Sequence, residues 1–168
     1  MFREFVKVVI AVIIAILTGI CAQIRFVIGP IPYTMQNFGI VLGGLLLEPR
    51  YALLSQLLYL LLIALGFPIA SGFRGGLAIL LGYTAGYLWG FPISALIMSI
   101  LSHMYLRKVR TKLNMLRKRD VVVLLALSTI AIMPTYMLGF IVFTYYALPS
   151  KALINWCQSV TNYLGLRI

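Results

Sequence analysis

The stretch between Leu106 and Val121 constrains the fold more than any other part of the chain. Arg107, Lys108, Arg110, Lys112, Arg117, Lys118 and Arg119 lie there between two long apolar runs, with Asp120 the one acid among them. The remaining seven cations are scattered singly, and Glu4 and Glu48 are the only other acids. A chain that is 62% hydrophobic and 10% charged has the composition of a protein whose solvent is lipid, and a dense basic run between apolar spans marks a cytoplasmic loop. In a soluble protein a net charge of +11 would suggest nucleic acid. Here the interleaved apolar spans place that charge beside lipid headgroups, and no nucleic-acid partner is expected.

Hydropathy divides the 168 residues into six segments: Phe5–Gln23, Pro32–Leu47, Tyr51–Gly66, Leu77–Leu106, Val121–Leu148 and Ser150–Ile168. Backbone polar groups in lipid must pair within the chain, so each segment is predicted to be a helix. The expected class is all-α, a polytopic membrane protein built as a six-transmembrane-helix bundle, with residues 1–168 forming a single membrane-embedded domain. The opening MFREFVK and its apolar run lack a small-x-small cleavage site, so this segment reads as a retained first helix. Six crossings put both termini on the side of the basic run. That side then collects Arg3, Lys7, Arg50, the seven loop cations and Arg167, eleven of fourteen, together with all three acids. This bias predicts a plasma-membrane protein with both termini cytoplasmic.

Arg25, Arg74 and Lys151 are left on the opposite side, with no acid there. Clustered, they would form an electropositive mouth suited to a carboxylate; dispersed, each would snorkel to headgroups. The three loops on that side, RFVIGPIP, GFPIASGFRGG and ALPSK, are punctuated by glycine and proline, as expected of irregular chain lining a cavity. Arg74 sits among Gly72, Gly75 and Gly76, in a loop suited to a lid contact. Thr34, Gln36 and Asn37 open the second helix, where they either cap it or present donors and acceptors to the bundle interior. Small residues recur every four positions: Ala11, Ala15 and Gly19; Gly39 and Gly43; Gly82, Gly86, Gly90 and Ser94. Such stripes let helices approach closely. On the second and fourth helices they read as packing within the bundle. On the first, packing and docking of a separate membrane subunit both fit.

The absences exclude several functions. No GxxxxGK[ST] is present to hold ATP, and no Asp, Glu or His lies in the outer or middle part of a helix to relay protons. His103 falls near the inner end of the fourth segment and reads as interfacial. No Ser–His–Asp set, carboxylate pair or metal-ligand spacing occurs, so neither enzyme chemistry nor a cofactor is expected. Cys21 and Cys157 form no CxxC and read as buried free thiols.

The stretch GPIPYTMQNFGIVLGGLLLEPRYALLSQLLYLLLIALGFPIASGFRGGLAILLGYTAGYLWGF, Gly29 to Phe91, resembles the BioY family, the biotin-binding substrate components (S-components) of energy-coupling factor (ECF) transporters. The resemblance rests on Pro32, Thr34 and Gln36 in a P-x-T-x-Q segment, on Tyr59, on Gly66–Pro68, on Gly75–Gly76, and on Gly82–Tyr87. It implies a six-helix bundle of the ECF S-component type that captures biotin from outside, and a partner module of a transmembrane coupling subunit and two ATPases. The Ala11/Ala15 stripe, continued by Gly19, then resembles the docking face for the coupling subunit. Expected ligand contacts are Arg74 and Lys151 for a carboxylate, Thr34, Gln36 and Thr84 for ring polar atoms, and Tyr87 as a wall. Family members often carry Asn where this chain has Arg74, and Arg where it has Leu88. The ligand is therefore biotin or a similar small amphipathic acid such as lipoate; a self-sufficient secondary transporter is the alternative.

Overall fold

The computed structural model describes residues 2–28, 31–109 and 117–147. Helix α1 (Phe2–Cys21) buries Ala11, Ile14, Ala15 and Thr18, spaced to lie on one face, and exposes Val12, Ile13, Ile16 and Ile20 on the other. The buried face meets α2 (Gln36–Leu46) and α3 (Pro49–Ala64). Contact is close because α2 carries glycine at the crossing: a Cβ on Gly39 would overlap Thr18, and one on Gly43 would overlap Ile14. Ala11 and Ala15 are 1% and 0% exposed and Gly19 is buried against Ile69. The stripe at Ala11, Ala15 and Gly19, for which packing and docking of a partner were both expected, packs inside the chain itself.

Between α1 and α2 the chain forms an antiparallel hairpin, β1 (Arg25–Ile28) and β2 (Ile31–Thr34), pairing Arg25 with Thr34 and Phe26 with Tyr33. The sequence reads as an irregular loop over RFVIGPIP; most of that loop is strand, among described elements that are otherwise helical. A hairpin also satisfies backbone groups within the chain, so the constraint that favours helices admits it too. The N-cap of α2 is Met35, which has no side-chain capping bond. Thr34 therefore does not cap the helix, and its hydroxyl goes elsewhere. At the far end of α2, Ser99 donates to the Leu47 carbonyl at 2.6 Å and Ser102 to that of Gly44 at 3.0 Å, supplying partners to carbonyls that a helix end leaves over.

The fourth expected segment is broken. A single turn, α4 (Leu77–Leu80), is followed by Leu81–Thr84 and then by α5 (Ala85–Val109). Trp89 Nε1 donates to the Leu80 carbonyl at 3.0 Å, and the Tyr146 hydroxyl to that of Leu81 at 2.6 Å, so the break is paired rather than bare. Helix α5 packs on α2, α3 and α6 (Lys118–Ala147). Gly86, Gly90 and Ser94 form the contact with α6, where Ser94 shares a 2.8 Å hydrogen bond with Thr135; Gly82 lies in the break and takes no part.

Helices α1, α5 and α6 are long and apolar enough to cross a membrane. Helix α2, with 11 residues, is about 17 Å long at 1.5 Å per residue, against a hydrocarbon core of about 30 Å. The sixth expected helix, Ser150–Ile168, lies outside the described residues, as do Lys151 and Cys157. Cys21 is a buried free thiol.

Charge marks one end of the bundle. Lys7 bridges Glu4 at 3.1 Å and Glu48 at 2.8 Å, and the Tyr51 hydroxyl also donates to Glu4, tying the start of α1 to the turn between α2 and α3. Asp120 accepts from the Arg117 backbone N–H at 2.9 Å and from the Tyr105 hydroxyl at 2.8 Å, closing the start of α6 onto the end of α5. His103 sits at this end too, its Nδ1 2.8 Å from the Ser99 carbonyl oxygen.

Candidate ligand cavity

At the opposite end, the loop from Leu65 to Gly76 folds over the bundle. Gln23, just past α1, holds it with both ends of its amide, donating to the Ala70 carbonyl at 3.1 Å and accepting from the Phe73 N–H at 3.0 Å. Ala70 and Arg74 pair as an isolated bridge. Gly72 is required twice over: its φ is +76°, and a Cβ there would lie 2.5 Å from Arg25 Nη1. Arg25 therefore lies against the loop from the hairpin side.

A cavity opens beneath this loop. The hairpin and α2 contribute Tyr33, Thr34, Gln36 and Asn37; the loop contributes Ala70, Ser71 and Arg74. Ile79, Thr84, Tyr87, Leu88 and Phe91 come from α4, the break and α5, and Thr135 and Tyr136 from α6. Five of the six expected ligand contacts thus surround one space: Arg74, Thr34, Gln36, Thr84 and Tyr87. The sixth, Lys151, lies outside the described residues. Arg25 does not line the cavity, so of the three cations expected at the mouth, Arg74 alone is seen on it.

Among the described residues, Arg74 is the one charged residue in the lining. Its Nε donates to the Ser71 carbonyl at 3.0 Å, which fixes the guanidinium and leaves its terminal nitrogens without a partner among the described residues. Thr34 donates to Gln36 Oε1 at 2.5 Å, and Gln36 Nε2 donates to the Tyr59 hydroxyl at 2.7 Å. Asn37 Nδ2 donates to the Tyr136 hydroxyl at 2.9 Å, linking α2 to α6. Tyr87 stands edge-on to Tyr136 at 6.2 Å and occupies the space left by Gly139, where a Cβ would fall inside its ring.

Sequence reasoning missed Ser71, Thr135 and Tyr136. The Ser71 hydroxyl is buried in the cavity lining with no hydrogen-bond partner among the described residues. Its position three residues from Arg74 was a usable signal. Nothing local marks Thr135 and Tyr136, because α6 offers hydroxyls on several faces.

Among the described residues one cation, a set of hydroxyls and amides, and aromatic walls converge on a single cavity of mixed polarity, the usual make-up of a small-molecule site. Among the described residues no cluster of His, Cys, Asp or Glu is placed to hold a metal. The fold and site thus define a multi-pass helical membrane protein enclosing a small-molecule cavity near one end.

The particular family follows from comparison. The profile of the BioY family matches residues 3–164, and the chain belongs to that family. It is 49% identical over 81 residues to the "Probable biotin transporter BioY" of Pyrococcus horikoshii, covering 48% of this chain and 50% of that one. It is 36% identical over 100 residues to the "Biotin transporter BioY" of Thermotoga maritima, covering 60% and 57%. The chain spans about half the length of the curated relatives it matches. A crystal structure of the S-component for biotin from an ECF-type ABC transporter shares the fold, with a TM-score of 0.67 over 91% of this chain and 80% of that one at 21% identity. These relatives are transporters, not enzymes.

Proposed function

We propose that the chain is the substrate-binding membrane subunit of an ECF-type vitamin uptake system, and that its ligand is biotin. The observation that carries this reading is the cavity, in which the Arg74 guanidinium, anchored by its Nε, faces a space whose lining holds no carboxylate among the described residues. Arg74 takes the carboxylate of biotin, with Lys151 as a second cation. Thr34, Gln36 and Thr84 meet polar atoms of the ring system, and Tyr87 and Phe91 wall its apolar part. The names of the relatives favour biotin over lipoate. The chain delivers its ligand inward with a coupling subunit and two ATPases, since its sequence has no nucleotide-binding loop. It lies in the plasma membrane, with the basic end cytoplasmic and the cavity outward.

Titration calorimetry of the purified protein with biotin and with lipoate tests this. Arg74→Ala is expected to weaken biotin binding by about 1.5–3 kcal/mol, the worth of a hydrogen bond to a charged group. An unchanged dissociation constant removes Arg74 from the site. Tighter binding of lipoate than of biotin overturns the ligand, and uptake by the chain alone overturns the partner module.

A further inference from the structure

We infer that Tyr59, which does not line the cavity, fixes the polarity with which Thr34 and Gln36 meet a ligand, so that the Thr34 hydroxyl faces it only as an acceptor. Tyr59 is fully buried on α3, its ring stacked on Phe91 at 6.4 Å. Its oxygen lies 3.1 Å from the Ile69 carbonyl oxygen and 2.7 Å from Gln36 Nε2. A backbone carbonyl has no hydrogen to give, so the single phenol hydrogen goes to Ile69. The phenol oxygen is left to accept, and Gln36 must turn its NH2 toward it. The opposite amide orientation would set two oxygens together with no hydrogen between them. The Gln36 carbonyl is then directed at Thr34 Oγ1, 2.5 Å away, and here the hydroxyl alone can supply the hydrogen. The chain of bonds runs one way, from Thr34 through Gln36 and Tyr59 to the Ile69 carbonyl.

The consequence is chemical selectivity. Thr34 has committed its hydrogen and offers the cavity lone pairs only. Gln36, 5% exposed, keeps one N–H. A ligand group that meets Thr34 must bring an N–H or O–H; a bare carbonyl or ether there finds no donor. The ureido nitrogens of biotin carry such hydrogens, so the inference deepens the proposed function and rests on it for the choice of ligand. Tyr59 acts as a positioning residue, and Ile69, in the loop over the cavity, is the fixed point that sets the direction.

Tyr59→Phe keeps the ring and removes only the hydroxyl. The first readout needs no ligand: solvent exchange of the Gln36 side-chain amide in protein labelled with 15N-glutamine. In the wild type this amide is expected to exchange at least tenfold more slowly than free glutamine, and in Tyr59→Phe the protection is lost. Absence of protection in the wild type overturns the inference even if the variant does not fold. The second readout is selectivity, as the dissociation constant for biotin methylated on one or the other ureido nitrogen divided by that for biotin. The wild type is expected to reject at least one methylated form, and Tyr59→Phe to lower that ratio about fivefold, the worth of a net hydrogen bond. A ratio equal in the two proteins overturns the inference, whatever happens to affinity overall. If the wild type binds none of these compounds, the proposed ligand fails, and amide exchange alone decides the role of Tyr59.

Discussion

For single residues, missing atoms shape the cavity as much as present ones. On α5, Gly90 lets α6 approach so closely that an added Cβ would strike the Thr135 backbone. Thr135 lines the cavity and is bonded to Ser94, so this approach sets one of its walls. Gly90→Ala is expected to cost about 1–3 kcal/mol, as overpacking usually does, and to lower the thermal unfolding midpoint in detergent; an unchanged midpoint would show that α6 yields freely. The sequence exposed part of this arrangement. Arg74 stood out because glycines isolate it, and Thr34 and Gln36 because polar groups beside an apolar run need a destination. Tyr136 stayed hidden: a tyrosine on a long apolar helix reads equally as an interfacial residue, and only the seating of α5 on α6 decides which way it faces.

Among the elements, long apolar runs and the Gly/Pro-rich loops between them were legible, while the strand pairing inside one loop and the break inside the fourth segment were not. The pairing of Arg25–Ile28 with Ile31–Thr34 lies mostly between two apolar segments, whereas the break at Leu81–Thr84 lies inside one, where hydropathy gives no sign of it. The first pairs its backbone groups locally, strand to strand, while the second is met by Trp89 nearby and by Tyr146 from α6. The stripe on α1 shows a related limit. Spacing reveals that a smooth face exists but not what lies against it, and the glycines of α2 that receive it sit some twenty-five residues on in the sequence. Ala15→Leu is therefore expected to lower the stability of the isolated chain by about 1–3 kcal/mol through overpacking. Undiminished stability together with lost co-purification of a membrane partner would restore the docking reading.

In the whole molecule the two ends differ in kind. Glu4, Glu48 and Asp120 are all engaged at one end, beside Lys7 and Arg117, while the cavity occupies the other. Charge bias in the sequence anticipated this division, because lipid enforces it on every crossing at once. A cysteine placed at Lys108 and one placed at Phe73, in a chain with Cys21 and Cys157 replaced by serine, should react with an impermeant maleimide from opposite faces of a sealed membrane. Labelling of both from one face would contradict the orientation.

The glycine behind Tyr87 gives this family member a way to change what it admits. Because that phenol rests in the hollow at Gly139, a methyl group there would push the ring inward and narrow the chamber from the rear. The width of the cavity is thus held by a position outside its lining. The cavity could be narrowed without any change at Arg74, Thr34 or Gln36 in its lining.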